Sequence, residues 1–68
     1  MAMEKIIEEL GKHGIYVNKD RANLIRYMLY DDGTELYIIF YDNYKIHIKI
    51  TPDGKTKVNA YPPIYKKQ

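Results

Sequence analysis

A chain of 68 residues, 46% hydrophobic and 29% charged with a net charge of +2, makes one domain near the smallest size at which a single core holds a fold unaided. It has no cysteine and no serine, which excludes disulfide staples, thiolate metal sites and serine or cysteine nucleophiles. No run approaches the roughly 18 apolar residues of a membrane span, and the opening MAMEKIIEEL is acidic where an export signal is basic, so a soluble, cytoplasmic protein is expected.

Eight tyrosines stand out, and a Lys-, Glu-, Ile- and Tyr-rich composition without cysteine is thermophile-like. Tyrosine suits a small core, an interface or the underside of a base, because it joins a large ring to a polar tip. Charge is unevenly placed. Residues 1–35 carry five Lys/Arg against seven Asp/Glu, and residues 36–68 carry six Lys against two Asp. The basic half therefore points to an anionic partner, although lysines on a sheet also discourage aggregation.

Met3–Lys12 carries Met3, Ile6, Ile7 and Leu10 at the i, i+3, i+4, i+7 spacing of one helical stripe. Glu8–Lys12 and Lys5–Glu9 stand four apart on its polar side. Gly11 or Gly14 offers a left-handed stop. Ten residues are marginal as an isolated helix, so the stripe has to be buried on another element. Ile15–Val17 reads as a short edge strand or an extended connection, and residues 18–21 as a loop.

Leu24–Tyr30 fits a helix from Asp20 to near Gly33, or a strand entering Asp31-Asp32-Gly33-Thr34. Asp-Gly between two apolar runs is a hairpin signal, which favours the strand. Leu36–Phe40 is β-branched and aromatic throughout. Tyr44–Ile50 alternates apolar and polar without error, the mark of a strand with one dry face. Asp42-Asn43 between them is turn chemistry.

Register follows from the turns. A two-residue Asp32-Gly33 turn sets Leu29 opposite Leu36, Tyr27 opposite Ile38 and Ile25 opposite Phe40. A three-residue Tyr41-Asp42-Asn43 loop, with Asn43 left-handed, sets Ile38 opposite Ile46. A three-residue Pro52-Asp53-Gly54 loop sets Ile48 opposite Val58. The dry face is then Ile25, Tyr27, Leu29, Leu36, Ile38, Phe40, Ile46, Ile48, Ile50, Val58 and Ala60, with Ile6, Leu10, Ile38 and Ile48 meeting at the helix–sheet contact. The expected fold is α+β: an N-terminal amphipathic helix packed on a four-stranded antiparallel β-meander, five-stranded if Ile15–Val17 joins. The alternative is a helix–helix–three-strand, winged-helix-like domain. Residues 1–68 form one domain, with 61–68 an extended tail broken by Pro62 and Pro63, and with Ile64 or Tyr65 available to tuck against the core.

Catalytic chemistry finds no foothold. The four glycines serve helix ends and turns rather than a phosphate loop. His13 and His47 lack metal-site spacing, and Asp31, Asp32 and Asp42 are explained as turn residues. No enzyme activity, metal or cofactor is expected. What remains is the wet sheet face, expected to carry Arg26, Met28, Tyr37, Ile39, Tyr41, Lys45, His47, Lys49, Lys57 and Tyr61, together with Leu24, Tyr30, Glu35 and Asn59. A Glu35–Lys49 ion pair is expected across it. Its apolar members suit a protein partner or a second copy of the chain. Its rings and cations alternatively suit single-stranded RNA or DNA.

Overall fold

The computed structural model describes residues 3–62, a helix followed by four strands. Helix α1, Met3–Lys12, has the expected bounds and buries Ile6 and Leu10 completely. It stops at Gly14, whose φ is 80°. Ile15 N–H donates to Leu10 O and Gly14 N–H to Gly11 O, both at 3.0 Å. These two bonds form a Schellman motif that satisfies the last carbonyls. The polar side pairs Lys12 with Glu9 at 3.1 Å rather than in the expected four-residue pairs. Residues 15–18 are an extended connection, not a strand, and a single 3-10 turn, Lys19–Arg21, follows.

Strands β1 (Ala22–Leu29), β2 (Glu35–Tyr41), β3 (Tyr44–Ile50) and β4 (Thr56–Tyr61) form an antiparallel meander in the order β1-β2-β3-β4. The helical reading of residues 20–30, and with it the winged-helix alternative, is therefore ruled out. The tail beyond Pro62, including Ile64 and Tyr65, lies outside the described residues. No described helix is long and apolar enough to cross a membrane.

The β3–β4 register is as expected, with Ile48 opposite Val58 and Ile46 opposite Ala60. Both turns that flank β2 differ by one residue. Tyr30 N–H donates to Thr34 O at 2.8 Å, so Asp31-Asp32-Gly33 is a three-residue loop, with Gly33 at φ 91°. Tyr41 is opposite Tyr44, so Asp42-Asn43 is a two-residue turn, and Asp42 rather than Asn43 is left-handed, at φ 53°. Side chains alternate along a strand, so the two shifts together turn β2 over while leaving β1 and β3 the expected way up. A bulge at Ile25 shifts the remainder of β1, placing Leu24 opposite Ile39.

The core is therefore Ile6, Leu10, Tyr37, Ile39, Ile46 and Ile48, with Met3, Ile15, Val17, Ala22, Tyr41, Tyr44, Ile50, Val58 and Ala60 packed around it. Leu36, Ile38 and Phe40, expected in that core, point away from the helix, and Ile39 takes the place expected of Ile38. Ile25 is not in the core either; it is exposed at the bulge. Ile39→Ala and Ile48→Ala should each cost about 2–5 kcal/mol through lost transfer energy and a residual cavity. Ile38→Ala should cost only about 1 kcal/mol, because its side chain is partly solvated. Urea unfolding midpoints of the three variants check this. A larger loss at Ile38 than at Ile39 would mean that β2 faces the other way.

Candidate binding face of the sheet

The side of the sheet away from α1 is read directly from the register. One row is Asn23, Phe40, Lys45 and Tyr61, the next Arg26, Ile38, His47 and Asn59, and the third Met28, Leu36, Lys49 and Lys57. Seven expected site residues stand together here: Arg26, Met28, Lys45, His47, Lys49, Lys57 and Tyr61. Three do not. Tyr37 and Ile39 are buried under the helix, 5% and 0% exposed, and Tyr41 packs against the same core. Leu24 and Glu35 also belong to the helix side, Leu24 opposite Ile39 and Glu35 as acceptor for Tyr37. The residues missed are Leu36, Ile38 and Phe40, which stand opposite Lys49, His47 and Lys45, where Glu35, Tyr37 and Ile39 were expected.

The exchange alters the chemistry of the face. Four cations, Arg26, Lys45, Lys49 and Lys57, stand in these three rows with no carboxylate among them. The expected Glu35–Lys49 ion pair is absent, because Glu35 turns the other way. Phe40 and Tyr61 are each about half exposed and flank Lys45, which is opposite both. Strand spacing puts these two rings about 10 Å apart. His47 stands edge-on to Tyr61, ring centroids 5.2 Å apart. Its Nε2 is buried with no hydrogen-bond partner. Lys49 and Lys57 are directly opposite each other, a like-charge pair, and Asp32 of the β1–β2 loop shares a cleft with Lys49.

On the helix side, Glu35 Oε2 accepts from Tyr27 OH at 2.8 Å and Tyr37 OH at 3.2 Å, and the two rings lie 4.9 Å apart. Burial, followed by the neighbouring Glu35 charge and hydrogen bond, pushes the Tyr37 phenol up to about 12. The Glu35 hydrogen bond likewise raises Tyr27. A small cleft beside this cluster is lined by Lys5, Glu9, Glu35, Tyr37 and Thr56. Among the described residues, no group of three or more His, Cys, Asp or Glu is placed to hold a metal ion.

No family model matches the chain, and neither a curated protein nor a solved structure matches it.

The Tyr37 shift carries a pH dependence. Because the folded state holds the phenol protonated above its ordinary value of 10, the stabilisation is complete below pH 10 and is lost as pH rises towards about 12. Ultraviolet titration should show Tyr37 ionising last, after Tyr27, which Glu35 also raises, and after the other exposed tyrosines. Tyr37→Phe should remove that late step and flatten the alkaline fall in stability. A wild-type titration in which every tyrosine ionises near pH 10 would contradict the buried Tyr37–Glu35 arrangement.

Proposed function

We propose that the chain is a small non-enzymatic binding module whose helix-free sheet face takes single-stranded nucleic acid. The observation that carries this reading is the charge of the face: four cations and no carboxylate in the three cross-strand rows, with aromatic rings between them. Cations on such a face meet phosphates, while exposed rings stack bases without demanding a sequence. Phe40 and Tyr61 are the stacking platforms, and Arg26, Lys45, Lys49 and Lys57 the phosphate contacts. A setting inside the cell fits a chain without cysteine.

Self-association through the same face is the weaker use. Two copies face to face would press like cations together and desolvate them with nothing to pair them. The face keeps its apolar content, with Leu36, Ile38 and Phe40 standing in for Tyr37, Ile39 and Tyr41, so it is the unpaired charge that weighs against a face-to-face copy. Leu36 and Ile38 are partly covered by their neighbours.

Titration of a labelled single-stranded oligonucleotide at low salt tests the reading. Binding should weaken steeply as salt rises, because each phosphate contact releases a counterion. Phe40→Ala should cost about 1–3 kcal/mol with the salt slope unchanged. Lys45→Ala should weaken binding to every sequence and lower that slope by about one. Absence of binding at millimolar protein would overturn the proposal. So would equal binding of poly-glutamate that Phe40→Ala leaves intact, which would mark a surface for acidic proteins instead.

A further inference from the structure

The two edges of the sheet are treated differently. On β4, Thr56 is held by the helix: its carbonyl oxygen is 3.3 Å from His13 Nε2, and its hydroxyl donates to Glu9 Oε1 at 3.3 Å. The far end of β4 runs into Pro62, which has no N–H to offer. Between these two ends the outward N–H and C=O groups of Val58 and Ala60 have no strand partner among the described residues, so β4 is closed at its ends only.

β1 has no such protection. Tyr30 N–H bonds to Thr34, so by antiparallel alternation Met28 and Arg26 also direct their N–H and C=O groups at β2. The N–H and C=O groups of Tyr27 and Leu29 consequently point outward, and among the described residues no strand pairs with them. Large exposed apolar side chains are concentrated on the same strand and its exit. Leu24, Ile25, Tyr27, Leu29 and Tyr30 range from 38% to 63% exposed. The helix leaves this end of its own face bare, because its contacts with Thr56 hold it towards β4. The strand ANLIRYML has a single charge, Arg26, to discourage pairing.

We infer that β1 is a dimerisation edge, pairing antiparallel with β1 of a second copy about a two-fold axis at Met28. The strand complements itself in this register. Tyr27 lies opposite Leu29 of the second copy, and the same pair recurs across the axis, so the outward N–H and C=O groups of both residues are satisfied in each chain. The Tyr27 ring covers the exposed Leu29 side chain twice. Met28 meets its own copy, and Arg26 falls beside Tyr30 and Asp31 of the second copy, which supply a ring face and a carboxylate. Centring the axis on Tyr27 would draw the bulged Ile25 into the ladder, and centring it on Arg26 would oppose two arginines. The bulge thus confines pairing to residues 26–30, a short contact that makes a weak, concentration-dependent dimer.

A two-fold axis through the plane of the sheet keeps both helices on one side and both cationic faces on the other. The two four-stranded sheets then form one continuous surface. The edge contact does not depend on the nucleic-acid reading, but it would double that binding face.

Sedimentation equilibrium across micromolar to millimolar protein, with amide exchange at the same concentrations, tests the inference. Average mass should rise from 8.1 kDa towards twice that value. Amide protection of Tyr27 and Leu29 should grow with concentration, while Arg26 and Met28 stay protected throughout. Leu29→Lys should hold the mass at one protomer. Leu29→Pro should do the same, because it removes an outward N–H and leaves the β1–β2 ladder whole; circular dichroism confirms that each variant is folded. Phe40→Ala, which alters the sheet face and not the edge, should leave the dimer intact. A mass of one protomer at millimolar concentration would overturn the inference, as would a dimer that survives Leu29→Lys and dissolves in Phe40→Ala. A dimer that binds no oligonucleotide would leave the edge assignment standing and remove the nucleic-acid reading alone.

Discussion

The two-residue turn at Asp42-Asn43 decides which half of β2 meets the helix. With Tyr41 opposite Tyr44, Ile39 falls opposite Ile46 and Tyr37 opposite Ile48, and α1 closes over these residues with Ile6 and Leu10. A left-handed conformation at a residue other than glycine costs about 1–2 kcal/mol. Asp42 accepts it at φ 53°, and its carboxylate is held by an ion pair with Arg21 just before β1. Burial of a fully covered isoleucine contributes about 1.5–3 kcal/mol, enough to outweigh that strain. The turn also puts Glu35 within reach of two phenols, so the polar atoms of the tyrosine-rich flank of the core are bonded.

The same alternation that fills the core sorts the charge. The glutamates gather on the helix and its side of the sheet, Glu4 with Lys19, Glu9 with Lys12 and Thr56, and Glu35 beneath the tyrosines, while the aspartates sit in the turns. The lysines of β3 and β4 share the other side with Arg26 and find no carboxylate in their rows. The three rows themselves carry four cations and no acid, and the carboxylates of Asp31 and Asp32 stand only at their loop end, beside Lys49. That separation gives a small chain a surface able to steer an anion.

Much of this was legible in the sequence. The helical stripe, the strict alternation of Tyr44–Ile50 and the Pro52-Asp53-Gly54 loop gave α1, β3 and the β3–β4 register, and with them Lys45, His47, Lys49, Lys57 and Tyr61. β2 resisted, because ELYIIFY is apolar on both faces, so periodicity alone does not choose between them. A usable signal lay elsewhere. Tyr30-Asp31-Asp32-Gly33-Thr34 and Thr51-Pro52-Asp53-Gly54-Lys55 close in the same way: in each, the glycine N–H donates to the first residue, the first residue to the fifth, and the aspartate accepts from the fifth. Reading both Asp-Gly pairs as the same three-residue loop moves β2 by one place, leaves two residues for the next turn and brings Phe40 and Ile38 to the open face. The bulge at Ile25 had no comparable mark, since no glycine or proline announces it.

The central claim is that the helix-free face, built from the outward half of β2 and the lysine rows of β3 and β4, is where an anionic strand binds. Residue-resolved NMR shift perturbation on adding a short single-stranded oligonucleotide tests it most directly. The largest changes should fall on Ile38, Phe40, Lys45, His47 and Tyr61, with Tyr37, Ile39 and the helix little affected. Changes concentrated on Tyr37, Tyr41 and α1, or spread evenly over the exposed lysines without the rings, would contradict it.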